Sequence, residues 1–182
     1  MKKNCLCILI MVAAFQANAQ KLIFDTFQPG KISLEALFDS SKENLGQKES
    51  LDCYIEITID EKKKLRLEGR KQNGELLFSF GKGNSQMFAC DTSDLEGRYF
   101  QIQFFDAEQA LKDPENAEEL AYFEIFNEEN RIDVFIGSMF GENDRELLRF
   151  TLSDKPSNSK IATDNRMAIN NLKKRLKEIL PN

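Results

Sequence analysis

Two cysteines, three groups of carboxylates and one basic helix are the residues of this chain whose types and spacing bear on chemistry. Of the four cysteines, Cys53 and Cys90 are the two downstream of residue 19. They carry no Cys-x-x-Cys spacing and no neighbouring signature of a low thiol pKa, which argues against redox catalysis. A disulfide between them is the expected use, favoured over the alternative of two buried thiols. Closing that loop would stabilise the fold by about 4 kcal/mol in the chain-entropy description.

The carboxylates divide into two loops and one strand pair. Asp91, Asp94 and Glu96 fall in one connection, and Glu142, Asp144 and Glu146 in another. Oxygen clusters of this kind suit a hard cation, so calcium is a minor candidate at Asp91, Asp94, Glu96, Glu142 and Asp144. Neither loop follows the EF-hand spacing, in which a glycine and a terminal glutamate sit at set positions, and solvated acidic loops are the favoured reading. Glu124 and Asp133 are expected to face each other across a hairpin, like charges that need a cation such as Arg131 or Lys112 unless both stand in water. Water is the favoured reading, and no spacing selects a glycosidase-type carboxylate pair.

Much other chemistry is excluded. The chain has no histidine, which removes histidine-dependent triads and the usual transition-metal ligand. It has no nucleophile elbow, phosphate-binding glycine loop or dinucleotide fingerprint. Gly81-Lys82-Gly83 reads as turn chemistry. With a net charge of −5, and with Arg166, Lys173, Lys174, Arg175 and Lys177 gathered near the C-terminus, the body of the chain is acidic. Nucleic acid is therefore not an expected partner. Enzyme function is the minority expectation, and a calcium-dependent or carboxylate-based hydrolase is its least favoured form.

The elements that would position these residues begin after an export segment. Lys2 and Lys3, the apolar run Leu6–Phe15 and Ala17-Asn18-Ala19 have the pattern of a signal peptide over residues 1–19, cleaved before Gln20. No later run is long and apolar enough to span a bilayer, so a periplasmic or extracellular location is expected. Residues 20–152 then show short alternating segments separated by turn signals, the pattern of an antiparallel β-sandwich, or a barrel, of about 8–10 strands.

Expected strands are Leu22–Phe27, Ile32–Phe38 (which also fits a short helix), Asp52–Asp60, Lys64–Gln72, Glu75–Gly81, Met87–Cys90, Arg98–Asp106, Leu120–Phe126, Arg131–Gly137 and Glu146–Leu152. Gln28-Pro29-Gly30 reads as a turn. Asn73-Gly74 predicts a type I′ hairpin pairing Leu67 with Phe80, Gly69 with Phe78 and Lys71 with Leu76, which turns Leu76 inward. The second hairpin is expected to pair Ala121 with Ile136, Phe123 with Val134 and Ile125 with Ile132. Ala107–Lys112 reads as a short helix stopped by Asp113-Pro114.

Residues 153–182 form a polar linker and a C-terminal amphipathic helix. Its apolar residues Ile169, Leu172, Leu176 and Ile179 and its basic residues Lys173 and Arg175 make it the candidate interaction element, with packing on its own sheet as the default. The expectation is an exported, non-enzymatic binding module of the cell envelope. On this expectation, deleting residues 154–182 removes partner binding and leaves the fold intact. The alternative is a closed barrel carrying an apolar ligand, suggested by 15 phenylalanines.

Overall fold

The computed structural model describes residues 19–33, 35–36, 39–82, 85–91, 99–126, 130–138, 143–153 and 159–179, and at 40, 85–91 and 99 the backbone only. Alternation of apolar and polar residues produces ten antiparallel strands. They are β1 (Ala19–Ile32), β2 (Asn44–Leu45), β3 (Glu49–Ile59), β4 (Leu65–Lys71), β5 (Leu76–Phe80), β6 (Ser85–Asp91), β7 (Tyr99–Asp106), β8 (Glu119–Phe126), β9 (Arg131–Ile136) and β10 (Arg145–Thr151). Helix α1 (Ala107–Lys112) follows β7, capped by the Asp106 carboxylate, and α2 (Ser159–Ile179) ends the described chain. The expected export segment falls on residues outside those described, save for Ala19.

All ten strands belong to one sheet, in the order β5-β4-β3-β1-β10-β9-β8-β7-β6 with β2 paired to β1. The sheet is not closed. It curls until its β5 end lies against its far half: Phe78 meets Phe123 at 5.4 Å between ring centroids, and Phe80 meets Phe104 at 5.7 Å. The two layers expected of a sandwich are thus two ends of one sheet. Between them Phe24, Phe100, Phe104, Phe123 and Phe150 are buried, each at 1% exposure or less. Burying a side chain of this size contributes about 1.5–3 kcal/mol, so this cluster is a main source of stability.

The hairpins test the sequence pattern closely. Around β8 and β9 the pairs Ala121–Ile136, Phe123–Val134 and Ile125–Ile132 all form as expected. In the first hairpin Leu67–Phe80 and Gly69–Phe78 form, but a bulge then shifts the register and Arg70, not Lys71, faces Leu76. The type I′ expectation fails here because only Gly74 takes a positive φ, 87°. Asn73 instead uses its side chain to accept the Glu75 amide at 3.0 Å, and the turn closes from Gly74 N to Lys71 O at 2.9 Å. The extra residue swings Leu76 outward to 49% exposure. Gly69 has no side chain because the Phe78 ring occupies that space: an added Cβ would lie 2.3 Å from Phe78 Cε1.

Two further segments depart from expectation. Gln28-Pro29-Gly30 is not a turn, since β1 runs straight through it. Pro29 pairs with Leu148, its carbonyl accepts from the Gly46 amide at 2.7 Å, and the bare Gly30 lets the backbone at Leu45 approach closely. The strand expected over Ile32–Phe38 ends at Ile32, and a turn closes from Ala36 N to Ser33 O.

Strand β1 divides the sheet. On one edge Ala19 to Phe27 pair with β3, and on the other edge only its second part, Thr26 to Ile32, pairs with β10. The register shifts between Phe24 and Thr26, so the inward side chains change from Leu22 and Phe24 to Phe27. Helix α2 fills the opening left where β10 departs. Ile169, Leu172 and Leu176 join the main core, each at 2% exposure or less.

Candidate functional site

The outer face of β7–β10 and of the second part of β1 carries polar residues that satisfy one another, beside a small apolar cluster of Ile32, Ala36, Tyr122, Phe135 and Leu147. One row runs Gln101, Glu124, Asp133, Arg149, Gln28 across five strands. Arg149 grips both Asp133 oxygens, Nε to Oδ1 at 2.9 Å and Nη2 to Oδ2 at 2.8 Å, and holds Glu43 with Nη1 at 2.9 Å. Burial works against the Arg149 charge, but the hydrogen bonds and charges of Asp133 and Glu43 outweigh it and raise its pKa. Glu124 accepts from Gln101 Nε2 at 3.0 Å. Burial raises the Glu124 carboxyl above its ordinary range, the Gln101 hydrogen bond works against that rise, and Asp133 adds to it.

The facing of Glu124 and Asp133 therefore forms as expected, but the two do not stand free in water. Asp133 is 1% exposed and Glu124 is half-buried. The compensating cation is Arg149, with Arg131 Nε farther off at 3.5 Å and Lys112 uninvolved. With both Asp133 oxygens taken, this pair is built for cohesion rather than for protonating a substrate.

The next rows repeat the theme. Tyr122 and Phe135 stack at 4.3 Å, and Arg145, buried over the Tyr122 ring, is paired with Glu119 and donates through Nε to the Gly137 carbonyl. Among the described residues Arg145 Nη1 has no hydrogen-bond partner, and the guanidinium gains instead from the ring beneath it. Gln103 Nε2 completes the set on Glu119 at 3.1 Å.

The remaining sequence candidates land elsewhere. Cys53 carries a free, buried thiol, so the bridge expected to Cys90 is not made in this structure. Its Sγ lies at the β1 bulge, 3.6 Å from the Phe24 carbonyl and 3.7 Å from that of Thr26, while Cys90 belongs to β6 at the far edge of the sheet order. The Cys90 side chain is outside those described. Burial, with the Asp25 and Asp52 charges, pushes the Cys53 thiol up to about 12.

Of the calcium candidates, Asp144 is exposed, Asp91 is described by its backbone alone, and Asp94, Glu96 and Glu142 are outside the described residues. Among the described residues no group of three or more acidic or cysteine side chains is placed to hold a metal ion.

The helix takes its default place, packed on its own sheet, which leaves its apolar face unavailable for the interaction role. Ile169, Leu172 and Leu176 are core residues, Ile179 packs partly buried against them, and the apolar face is occupied within the chain. Lys173 lies over the Phe100 ring at 5.0 Å, and Arg175 donates to the Ile59 carbonyl at 3.1 Å. Asn165, buried on the same stripe, was not anticipated. Its Oδ1 accepts from Ile23 N at 3.0 Å and its Nδ2 donates to Ile23 O at 2.8 Å, so one side-chain amide takes the place of a neighbouring strand at the open edge of β1. The helix is a structural part of the sheet, and removing it would open the core.

What remains outside this self-satisfied framework is a pocket of about 400 Å³ on the outer face of β1 and β3. Tyr54 and Ile23, a cross-strand pair, form its floor, and Ile161 in the first turns of α2 forms a wall. Lys21 lies along the floor with Nζ 3.5 Å from the Tyr54 ring centroid. Asp52 and Gln72 line the opposite end, tied together by the Gln72 amide on the Asp52 carbonyl at 2.7 Å. Among the described residues neither the Lys21 ammonium nor the Asp52 carboxylate has an ion-pair partner. The available sequence signal was Tyr54, a large aromatic on the outward parity of β3.

No helix among the described residues is long and apolar enough to cross a membrane. The chain matches no protein-family model, no curated protein and no solved structure.

Proposed function

We propose that this chain is an exported, non-enzymatic binding protein that acts at the cell envelope, and that the pocket over Tyr54 is its recognition surface. The observation that carries the reading is the contrast in charge satisfaction. Arg145, Arg149, Glu119 and Asp133 are held in internal pairs, whereas Lys21 and Asp52 face the pocket with no ion-pair partner among the described residues. An aromatic floor with a few convergent polar groups is the usual make-up of a ligand site. The signal-peptide pattern of residues 1–19 supplies the location.

Among the described residues the sheet is open and phenylalanines pack its interior, which supports this reading over that of a closed barrel carrying an apolar ligand. The test is capture from the host envelope by the immobilised chain beginning at Gln20. A component retained by the native protein and released by the double substitution Lys21→Glu, Tyr54→Ala is the expected result. Retention indifferent to those substitutions, or none at all, overturns the proposal.

A further inference from the structure

We infer that the pocket selects a short peptide with both termini free, about two residues long and carrying apolar side chains. This rests on the reading of the pocket as a recognition site and adds the class of ligand.

The argument starts from strand register. Ile23 pairs with Tyr54, and Lys21 pairs with Glu56 two residues farther along. Lys21 folds back so that its ammonium sits over Tyr54. Asp52 lies two residues from Tyr54 in the other direction on the same face, because side chains alternate along a strand. Two residues of strand span about 7 Å, so positive and negative groups stand about that far apart across an apolar floor. An extended dipeptide spans about the same length. Its carboxylate would meet Lys21 and its ammonium Asp52, each as a charge-assisted hydrogen bond. Its side chains would cover Ile23 and Ile161.

Two further features fix the polarity. The first turn of α2, which brings Ile161 to the pocket, contains no acidic residue to offset the positive end of the 21-residue helix. Lys21 is also held against Tyr54, which lowers the ordering cost of presenting its charge. A volume of about 400 Å³ admits a dipeptide and is small for a folded partner's loop.

Calorimetric titration of the chain beginning at Gln20 tests this, with Leu-Leu as probe beside N-acetyl-Leu-Leu, Leu-Leu-amide and octanoate. Leu-Leu is expected to bind, and each blocked peptide to bind at least about tenfold more weakly. Asp52→Asn should abolish the discrimination against the acetylated peptide alone, and Lys21→Ala that against the amide alone. Both residues are exposed, so the fold is unaffected, which a circular dichroism melt verifies.

No saturation by about 10 mM Leu-Leu, a threshold near −3 kcal/mol by the affinity relation, overturns the inference. Equal binding of the blocked peptides, or binding of octanoate alone, does the same. If the double substitution releases an envelope component while Leu-Leu fails to bind, the ligand class is wrong and the binding function stands.

Discussion

Asn165→Ala probes the joint on which the architecture turns. The side chain is 1% exposed and makes two hydrogen bonds to one residue, Ile23 N to Oδ1 and Nδ2 to Ile23 O. Alanine leaves both backbone groups unpaired at a point where α2 still covers them. Each such group costs about 1–3 kcal/mol. Alanine's better helix propensity returns about 0.5 kcal/mol, so the net loss should be roughly 1.5–5.5 kcal/mol. For a chain of this size that lowers the melting temperature by about 3–22 °C.

Asn165→Asp sharpens the test because it keeps the acceptor for Ile23 N and replaces the donor with a second oxygen facing the Ile23 carbonyl. Its carboxyl should be harder to ionise in the folded protein than in the unfolded chain. The variant is then least handicapped at low pH and loses stability as pH rises through the ordinary carboxylate range. Denaturant titrations at about pH 4 and pH 7 read both effects. If both variants stay within a few tenths of a kcal/mol of the native protein, the amide does not substitute for a strand, and α2 is held by its apolar stripe alone.

Three further outcomes follow from the charge layout. Arg149→Met should cost about 3–5 kcal/mol, because it leaves Asp133 buried with only the distant Arg131; pairing it with Asp133→Asn should recover much of this, and additive losses would refute the coupling. Glu124→Gln should stabilise the fold at neutral pH, since a carboxyl raised by burial favours the folded state only when protonated. The gain should vanish as pH falls below the unfolded-chain value of about 4.3, and a loss at pH 7 would contradict the assigned cause. Cys53 should resist a thiol reagent in the native protein at pH 8 and react in denaturant without prior reduction. Its raised pKa makes it a liability to stability from about pH 8.5 upward, which Cys53→Ala should relieve; a Cys53 unreactive in denaturant would mean that it is bridged.

The parts legible in the sequence are those fixed by neighbours in the chain. Alternation along β3 assigns Cys53, Ile55, Ile57 and Ile59 to the core, and an even loop sets Ala121 to Phe126 against β9. Asn73-Gly74 locates its turn but not the turn's form, because Asn73 can either adopt positive φ or cap Glu75 with its side chain, and local sequence does not decide between them. Pro29 and Gly30 read as a turn until β2 and β10 supply pairing from both sides. The pairing of β1 with β10 joins residues more than 110 positions apart, and no local pattern encodes it. Arg149 was invisible for the same reason: it is an outward residue of its strand, and its role depends on which strands stand beside it. Asn165 did leave a trace, as a polar residue on the stripe of Ile169, Leu172 and Leu176.

The change of partner along β1 links the fold to the proposed site. Where β1 pairs with β10, the outer face lies among other strands, and its charges pair with one another across five of them. Where β1 pairs with β3 alone, the far edge has no strand beside it, and α2 supplies one amide at Ile23 and a wall at Ile161. A helix laid along an edge covers backbone without extending the rows of side chains on the face. Lys21 is consequently left at an edge with no further strand beyond it, while Tyr54 keeps Arg70 of β4 on its other side. The bulge between Phe24 and Thr26 in the pairing with β3 falls where the pairing with β10 ends on the opposite edge. A substitution that straightened it would be expected to lose the pocket before it lost the sheet.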